Sequence, residues 1–137
     1  MKVKKKKIKK LRIKTEKKKA WEAFSRYCRT LWTKYGPVKC YTCDRVLTFK
    51  QVMPGHFVQG QSNRVYINGT YVRPQDFYCN IQLSGNQGTF RDRIRKELGN
   101  AEVDTLLLEA KIPLKISANE YIGLKGIYEM LLDGISE

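Results

Sequence analysis

The spacing of apolar residues predicts a leading helix from Ala20 to about Tyr35. Its apolar positions recur at intervals of three, four and seven, as on one helical face: Trp21, Phe24, Tyr27 or Cys28, Leu31 and Trp32. The pair Gly36-Pro37 follows, and this pair is typical of a helix end. Cys28 lies on or beside the apolar face, so we interpret it as a small buried hydrophobe.

Runs of β-forming residues predict short strands in the middle of the chain. Residues 38–49 predict two strands around a Cys40–Cys43 turn. The turn pair Asn68-Gly69 lies between two such runs and predicts a second hairpin over residues 64–72. We expect Pro74 to end the last of these strands, because proline lacks the backbone donor that a sheet needs.

Helical patterns return after the β region. Residues 76–80 predict a turn into a helix, which a glycine-containing segment at 84–88 interrupts. A further helix is predicted over residues 89–98, with Thr89 as its N-cap and Gly99 at its end. A leucine-rich helix is predicted over residues 101–111.

A capping box, Ser117-Ala118-Asn119-Glu120, predicts the start of a last helix. Apolar residues follow it at helical spacing: Tyr121, Leu124, Ile127 or Tyr128, and Leu131. Together these patterns predict an α+β fold with a leading helix, a small β region and C-terminal helices packed behind it.

Positive charge is concentrated at the N-terminus. The chain has a net charge of +14, and residues 1–19 hold eleven lysines and Arg12 against Glu16. This composition predicts a basic arm, residues 1–19, disordered or only partly helical until it meets a polyanion, before a single domain, residues 20–137. A solubilising tail is the alternative interpretation. The predicted phosphate contacts of the arm are Lys4, Lys5, Lys6, Lys7, Lys9 and Lys10.

Hydropathy excludes a membrane protein of the helical class. The sequence has no apolar run of transmembrane length, and its basic N-terminus lacks the apolar segment of a signal peptide. We therefore expect a soluble protein of the cytoplasm. The hydrophobic fraction of 42% supports a small core that a bound metal would help to stabilise.

Three of the four cysteines are candidate zinc ligands. Cys40 and Cys43 have the CxxC spacing that places two thiolates on one tetrahedral ion, and Cys79 is a natural third ligand. Asp76 precedes Cys79 by three residues and is the predicted fourth ligand of a structural zinc. His56 and Cys28 are the alternative fourth ligands. Three thiols without a metal are the alternative to a zinc site.

His56 is the only histidine and follows Pro54-Gly55. In a metal-dependent phosphodiesterase, a neutral imidazole accepts the proton of the attacking water while Mg²⁺ or Mn²⁺ stabilises the charge on the phosphate. Asn80 has the amide oxygen to bind such an ion, and a helix N-cap is its alternative role. His56 and Asn80 are therefore the predicted catalytic residues and ligands of the divalent ion.

Four arginines are further candidate phosphate contacts, with solvated surface charges as the alternative interpretation: Arg73, Arg91, Arg93 and Arg95.

The order of these motifs resembles the phage NinG/Rap recombination proteins, HNH-like nucleases associated with branched DNA. The resemblance extends from about Trp21 to about Lys111. Its motifs are Phe24-Ser25-x-Tyr27-x-Arg29, Val38-Lys39-Cys40-Tyr41-Thr42-Cys43, Gly55-His56-Phe57, Val72-Arg73-Pro74-Gln75, Cys79-Asn80, Gly85-Asn86 and a helix from Phe90 that ends at Gly99.

The resemblance implies an HNH-like ββα-metal module with a zinc knuckle, which cleaves Holliday junctions or D-loops with a divalent metal. His56 would open the HNH motif and Asn80 would fill its last position. The chain departs from the family pattern at three positions. Asp76 replaces a zinc cysteine, and Met53 stands where an acidic residue often precedes the Gly-His pair. The middle asparagine of the HNH motif is absent, and Tyr71 lies near its position. A phage origin would place the protein in the host cytoplasm.

Two functions follow from the residues and the resemblance. The first is a metal-dependent DNA endonuclease, a hydrolase whose partner is branched or single-strand-containing DNA. A homodimer would suit symmetric cutting of both strands. The second is a non-catalytic, zinc-stabilised nucleic-acid-binding protein, which Met53 favours. A component of a ribonucleoprotein assembly is a third interpretation that rests on the basic arm alone.

Overall fold

A computed structural model of the chain describes residues 2–60 and 62–136. Its longest element is helix α1, Lys2–Trp32, which crosses the predicted boundary between arm and domain without a break. Residues 2–19, for which the sequence predicts a disordered or only partly helical arm, are helical throughout in this structure, and the division into arm and domain stays a prediction. No glycine or proline interrupts this stretch, and lysine is a good helix former. Met1 of the predicted arm and Glu137 of the predicted domain lie outside the described residues.

The β region contains two separate two-stranded antiparallel sheets. The first pairs β1, Val38–Lys39, with β2, Val46–Leu47, as the sequence predicts. Its turn is closed by the Cys40 N–H, which donates to the Arg45 carbonyl at 2.8 Å.

The second sheet differs from the predicted hairpin. Strand β3, Met53–His56, pairs with β4, Val72–Gln75, and the register places His56 opposite Val72. Pro74 does not end β4 but lies inside it, opposite Pro54, which a two-stranded sheet tolerates because each strand has a free edge.

Residues 63–66 and 69–71 form two short helical turns instead of a hairpin, because side chains cap both turns. Ser62 Oγ accepts the Arg64 N–H at the start of helix α2, Asn63–Tyr66. Asn68 Oδ1 accepts the Thr70 N–H at the start of a 3₁₀ turn, Gly69–Tyr71. These local hydrogen bonds compete with strand pairing, so the turn pair Asn68-Gly69 does not form a hairpin.

Helices fill the rest of the chain, as predicted. A π-helical turn, Tyr78–Gln82, follows β4. After it come three α-helices: α3, Gln87–Leu98, α4, Asn100–Glu109, and α5, Ala118–Ser136. Thr89 lies inside α3 and is not its N-cap, because Asn86 with a φ of 50° precedes the helix. The capping box of α5 is confirmed: the Glu120 N–H donates to Ser117 Oγ at 3.1 Å.

Helix α5 packs along α1, and the two helices run in the same direction. Arg12 donates to Asn119 at 3.0 Å near one end, and Phe24 contacts Tyr128 with ring centroids 5.0 Å apart. Of the two residues predicted for this apolar position, Tyr128 occupies it, and Ile127 is 53% exposed.

Three buried clusters hold the fold. The largest joins the segment after β3 to α3 and α4: Phe57, Val65, Tyr71, Phe90, Ile94, Val103, Leu106 and Ala110. The second, Cys40, Leu47, Val52 and Cys79, lies under the first sheet. In the third, Phe24, Cys28 and Val72 fix α1 against β4, so Cys28 is a buried apolar residue as predicted.

Candidate metal centre and active site

The predicted zinc ligands converge on one point. The ligand atoms of Cys40, Cys43, Asp76 and Cys79 all lie within 4.8 Å of one another. The β1–β2 turn supplies the first pair, and the connection from β4 to the π-helical turn supplies the second pair. Three thiols and one carboxylate are a donor set that zinc accepts in tetrahedral sites. Asp76 lies in this cluster and its rivals, His56 and Cys28, do not, so Asp76 stays the predicted fourth ligand.

The two carboxylate oxygens of Asp76 have different partners. Oδ2 accepts a hydrogen bond from the Cys43 thiol at 3.3 Å, and Oδ1 accepts the Cys79 N–H at 2.7 Å. Burial works against the charge of Asp76, but these hydrogen bonds outweigh it and lower the pKa of the carboxyl group. The anionic oxygen of Asp76 is therefore available to a cation.

Hydrogen bonds likewise favour the charged form of Cys40. Its sulfur accepts the Asp76 N–H at 3.4 Å and lies 3.6 Å from the Thr42 hydroxyl. Burial opposes ionisation of this thiol, but the hydrogen bonds outweigh burial and lower its pKa. A structural zinc would be held by these four side chains and would tie the β1–β2 turn to the end of β4.

His56 ends strand β3 and is held on two sides. Its ring stacks on Trp21 of α1 and on Tyr66, with centroids 5.6 and 5.9 Å away. Nε2 lies 2.9 Å from the Tyr66 carbonyl oxygen, which can only accept, so Nε2 carries the proton of the neutral ring. Burial lowers the pKa of His56, which keeps the ring neutral at pH 7. The free lone pair is then on Nδ1.

Asn80 lies inside the π-helical turn, so its alternative role as a helix N-cap is wrong. Its amide nitrogen is 3.9 Å from Met53 Sδ, a weak contact that fixes its orientation only loosely. Asn80 and His56 line one cavity of about 350 Å³, together with Tyr66 and Gly85. The fold thus brings the two predicted catalytic residues to the same cavity.

This cavity is a poor site for a magnesium ion. Among its described lining residues there is no carboxylate, and His56 and Asn80 offer only two neutral donors. Protein sites for Mg²⁺ use carboxylates, and the nearby Met53 offers only a thioether sulfur. The donor set therefore does not fit the Mg²⁺ or Mn²⁺ predicted from the sequence.

A second cavity of about 500 Å³ shares Asn80 as part of its wall. Three cationic side chains line it, Arg29, Arg45 and Lys50. Asp76, whose oxygens face the metal centre, is the one acidic residue among its described lining residues. Sequence reasoning missed these cations because they come from three separate elements. Arg29, which belongs to the motif Phe24-Ser25-x-Tyr27-x-Arg29, was the one sequence signal that could have indicated this cavity.

The arginines singled out by the sequence are mostly engaged elsewhere. Arg73 pairs with Glu97 at 2.6 Å, Arg93 with Asp44 at 3.0 Å and Arg95 with Asp104 at 2.9 Å. Arg91 is exposed and lines another cavity, of about 440 Å³. The paired arginines fasten α3 to its neighbours. Their part in nucleic-acid binding stays a prediction, as does that of the exposed arm lysines.

Gln75 connects the candidate metal centre to the cavity lined by His56 and Asn80. It is fully buried, and its Nε2 donates to Thr42 Oγ1 at 3.0 Å and to the Gly85 carbonyl at 2.8 Å. The opposite strand makes room for it with Gly55, where an added Cβ would lie 1.8 Å from Gln75 Oε1. The glycine of the Gly-His motif is thus needed for this side chain.

Comparison with known proteins gives one match. The family described as "Bacteriophage Lambda NinG protein" matches residues 1–136. No curated protein and no solved structure matches the chain. Within the described residues, no helix is both long and apolar enough to cross a membrane. Because the match covers nearly the whole chain, this protein belongs to the bacteriophage lambda NinG family.

Proposed function

We propose that this chain is a DNA endonuclease of phage recombination that hydrolyses phosphodiester bonds in branched DNA, such as Holliday junctions or D-loops. One observation carries the proposal. A neutral, oriented His56 and Asn80 line one cavity, and three cations line the cavity on the other side of Asn80. A general base beside a cationic surface is what hydrolysis of a phosphodiester needs.

His56 acts as the general base in this proposal. The Tyr66 carbonyl holds the Nε2 proton, so Nδ1 accepts the proton of a water that attacks the phosphorus. The stacked rings of Trp21 and Tyr66 restrict the imidazole, which keeps Nδ1 in a constant orientation. The Asn80 amide can donate a hydrogen bond to a phosphate oxygen.

The zinc ligands have a structural role here. Cys79 and Asn80 are adjacent, so a zinc bound to Cys79 fixes the position of Asn80. The exposed lysines of α1 supply affinity for DNA phosphates that does not depend on sequence. Paired cuts in the two strands of a junction would require a homodimer, and the exposed side of α5 with Ile127 and Met130 is the candidate contact.

The test is nicking of a four-way DNA junction, with each strand labelled in turn, in buffer with Mg²⁺, with Mn²⁺ or with neither. His56→Ala should lower the rate by about 10² to 10⁴, the usual contribution of a general base. Gln82→Ala, an exposed change in the same π-helical turn, is the control and should cleave like the original protein. Unchanged cleavage by a folded, zinc-containing His56→Ala protein would refute the catalytic assignment.

A non-catalytic nucleic-acid-binding protein is the second candidate function. The cavity at His56 and Asn80 has no carboxylate among its described residues, which favours this alternative. It predicts binding that weakens steeply with salt and no cleavage under any of the three ion conditions.

A further inference from the structure

The cavity lined by Arg29, Arg45 and Lys50 has unused binding capacity. Arg45 has a side chain 61% exposed, and its nearest carboxylate oxygen, on Asp76, is 4.0 Å away. Lys50 is exposed on the rim. Among the described residues, Arg45 thus has only this long, exposed ion pair and Lys50 has none, which favours an anionic ligand.

Arg29 adds an unsatisfied donor to the same cavity. Its Nη2 donates to the Phe49 carbonyl at 2.8 Å, and its guanidinium lies 4.3 Å from the centre of the Phe49 ring. Its Nε is buried and has no hydrogen-bond partner among the described residues. Arg29 therefore contributes a positive charge to the wall of the cavity, held in place by the carbonyl and ring of Phe49.

Aromatic rings border these charges. Phe77 lines the cavity and is 56% exposed, and Phe49 is exposed beside Arg29. Large exposed aromatic side chains next to arginines are the combination with which proteins bind single-stranded nucleic acids, because a base stacks on the ring while its phosphate meets the cations. A base within a duplex is stacked on its neighbours and cannot reach such a ring.

We infer that this cavity binds one unpaired nucleotide of the DNA substrate. Its phosphate lies among Arg29, Arg45 and Lys50, and its base stacks on Phe77. This inference rests on the proposed function, in that DNA is taken as the substrate. Because Asn80 lines both cavities, the unpaired nucleotide lies next to the phosphate presented to His56. The site therefore selects DNA with unpaired nucleotides, as found where strands branch.

Binding of a fluorescent single-stranded oligonucleotide to the full chain tests the stacking part, without added Mg²⁺ or Mn²⁺. Phe77→Leu keeps an apolar side chain but removes the ring, and should weaken binding about fivefold to a hundredfold. Tyr78→Leu is the matched control, because Tyr78 is 54% exposed and adjacent but is not among the residues that line this cavity. Affinity for a blunt duplex should be the same in all three proteins. Equal effects of Phe77→Leu and Tyr78→Leu would overturn the site.

The salt dependence of binding tests the phosphate part. The double variant Arg45→Gln, Lys50→Gln should lower the slope of log affinity against log salt on single-stranded DNA by about 1.4, for two lost phosphate contacts. Lys115→Gln, an exposed lysine distant in sequence, is the charge control and should have little effect. An unchanged slope in the double variant would overturn the phosphate assignment.

The outcomes separate this site from the proposed function. Loss of stacking in Phe77→Leu together with full cleavage by His56→Ala would keep the nucleotide site and reject the endonuclease mechanism. Cleavage that depends on His56, with no effect of Phe77→Leu on single-strand affinity, would do the reverse. Tighter binding of an RNA oligonucleotide of the same sequence would overturn DNA as the ligand of this cavity.

Discussion

At the scale of single residues, Asp76 has two separate roles in the candidate metal centre, one for each of its carboxylate oxygens. Its Oδ2 faces Cys43, while its Oδ1 accepts the Cys79 N–H at 2.7 Å. The first interaction places a negative charge among the thiols, and the second starts the turn that carries Asn80. Asp76 therefore links the chemistry of the metal centre to the position of a candidate catalytic residue.

Asp76→Asn separates these two roles. The amide oxygen can still accept the Cys79 N–H, but the anionic ligand is lost, so zinc affinity should fall at least about tenfold. Competition with a zinc-binding dye measures the change. Asp92→Asn, which neutralises an exposed carboxylate on α3, is the control and should bind zinc normally. Equal zinc affinities in the two variants would contradict the ligand role of Asp76.

At the scale of elements, helix α1 serves both the surface and the active site. Its first half carries exposed lysines, and Lys17 lies over the Tyr66 ring with its Nζ 4.8 Å from the centroid. One turn further, Trp21 stacks on the same ring at 4.6 Å and on His56. The element that carries the predicted DNA contacts is therefore the element that orients the candidate base.

Deletion of residues 2–11 tests the surface role of α1. The deleted segment is exposed and contains seven lysines, so the remaining chain should keep its melting temperature. The slope of log affinity against log salt on duplex DNA should fall by up to about 6, because each lost phosphate contact removes about 0.9. Replacing the seven lysines by arginine should preserve the slope. A slope unaffected by the deletion would show that DNA binds elsewhere.

At the scale of the whole molecule, the features that depend on short spacings in the sequence were predictable, and those that depend on contacts between distant segments were not. The zinc cluster follows from two pairs of residues, each with a spacing of three, at Cys40 and Asp76. The α+β class and the C-terminal helices follow from apolar periodicity and capping residues. The prediction of a second hairpin was wrong, because the caps of two local turns and the burial of Val65 and Tyr71 outweighed the strand propensity of this segment.

Contacts between distant segments were outside the reach of sequence reasoning. The pairing of Arg73 with Glu97 joins residues far apart in the chain and removes an apparent phosphate ligand. The cationic cavity is assembled from Arg29, Arg45 and Lys50, which share no spacing pattern. The fold had to be known before the free arginines could be distinguished from the paired ones.

The single histidine makes the pH dependence of global stability simple to interpret. Burial lowers the pKa of His56 below its ordinary value of 6.5, so below this pH the unfolded chain binds more protons than the folded one. The contribution of His56 to the free energy of unfolding is therefore complete above about pH 6.5 and is lost as the pH drops toward its lower folded pKa.

Urea unfolding between about pH 5 and 7.5, with saturating zinc, measures this loss. His56→Gln has no imidazole to protonate and should show a flatter dependence of unfolding free energy on pH in this range. Identical profiles for the two proteins would mean that His56 is accessible to solvent in the folded state.

The unbroken course of α1 fixes the distance between the N-terminal lysines and the cavity at Asn80. From Lys2 to Trp21 the helix extends about 28 Å, which corresponds to about eight base pairs of duplex DNA. A duplex arm held by the lysines would therefore begin within one helical repeat of the cavity at Asn80. The number of base pairs between the footprint on DNA and the cut would then be constant. It would be set by the length of one helix instead of by base sequence.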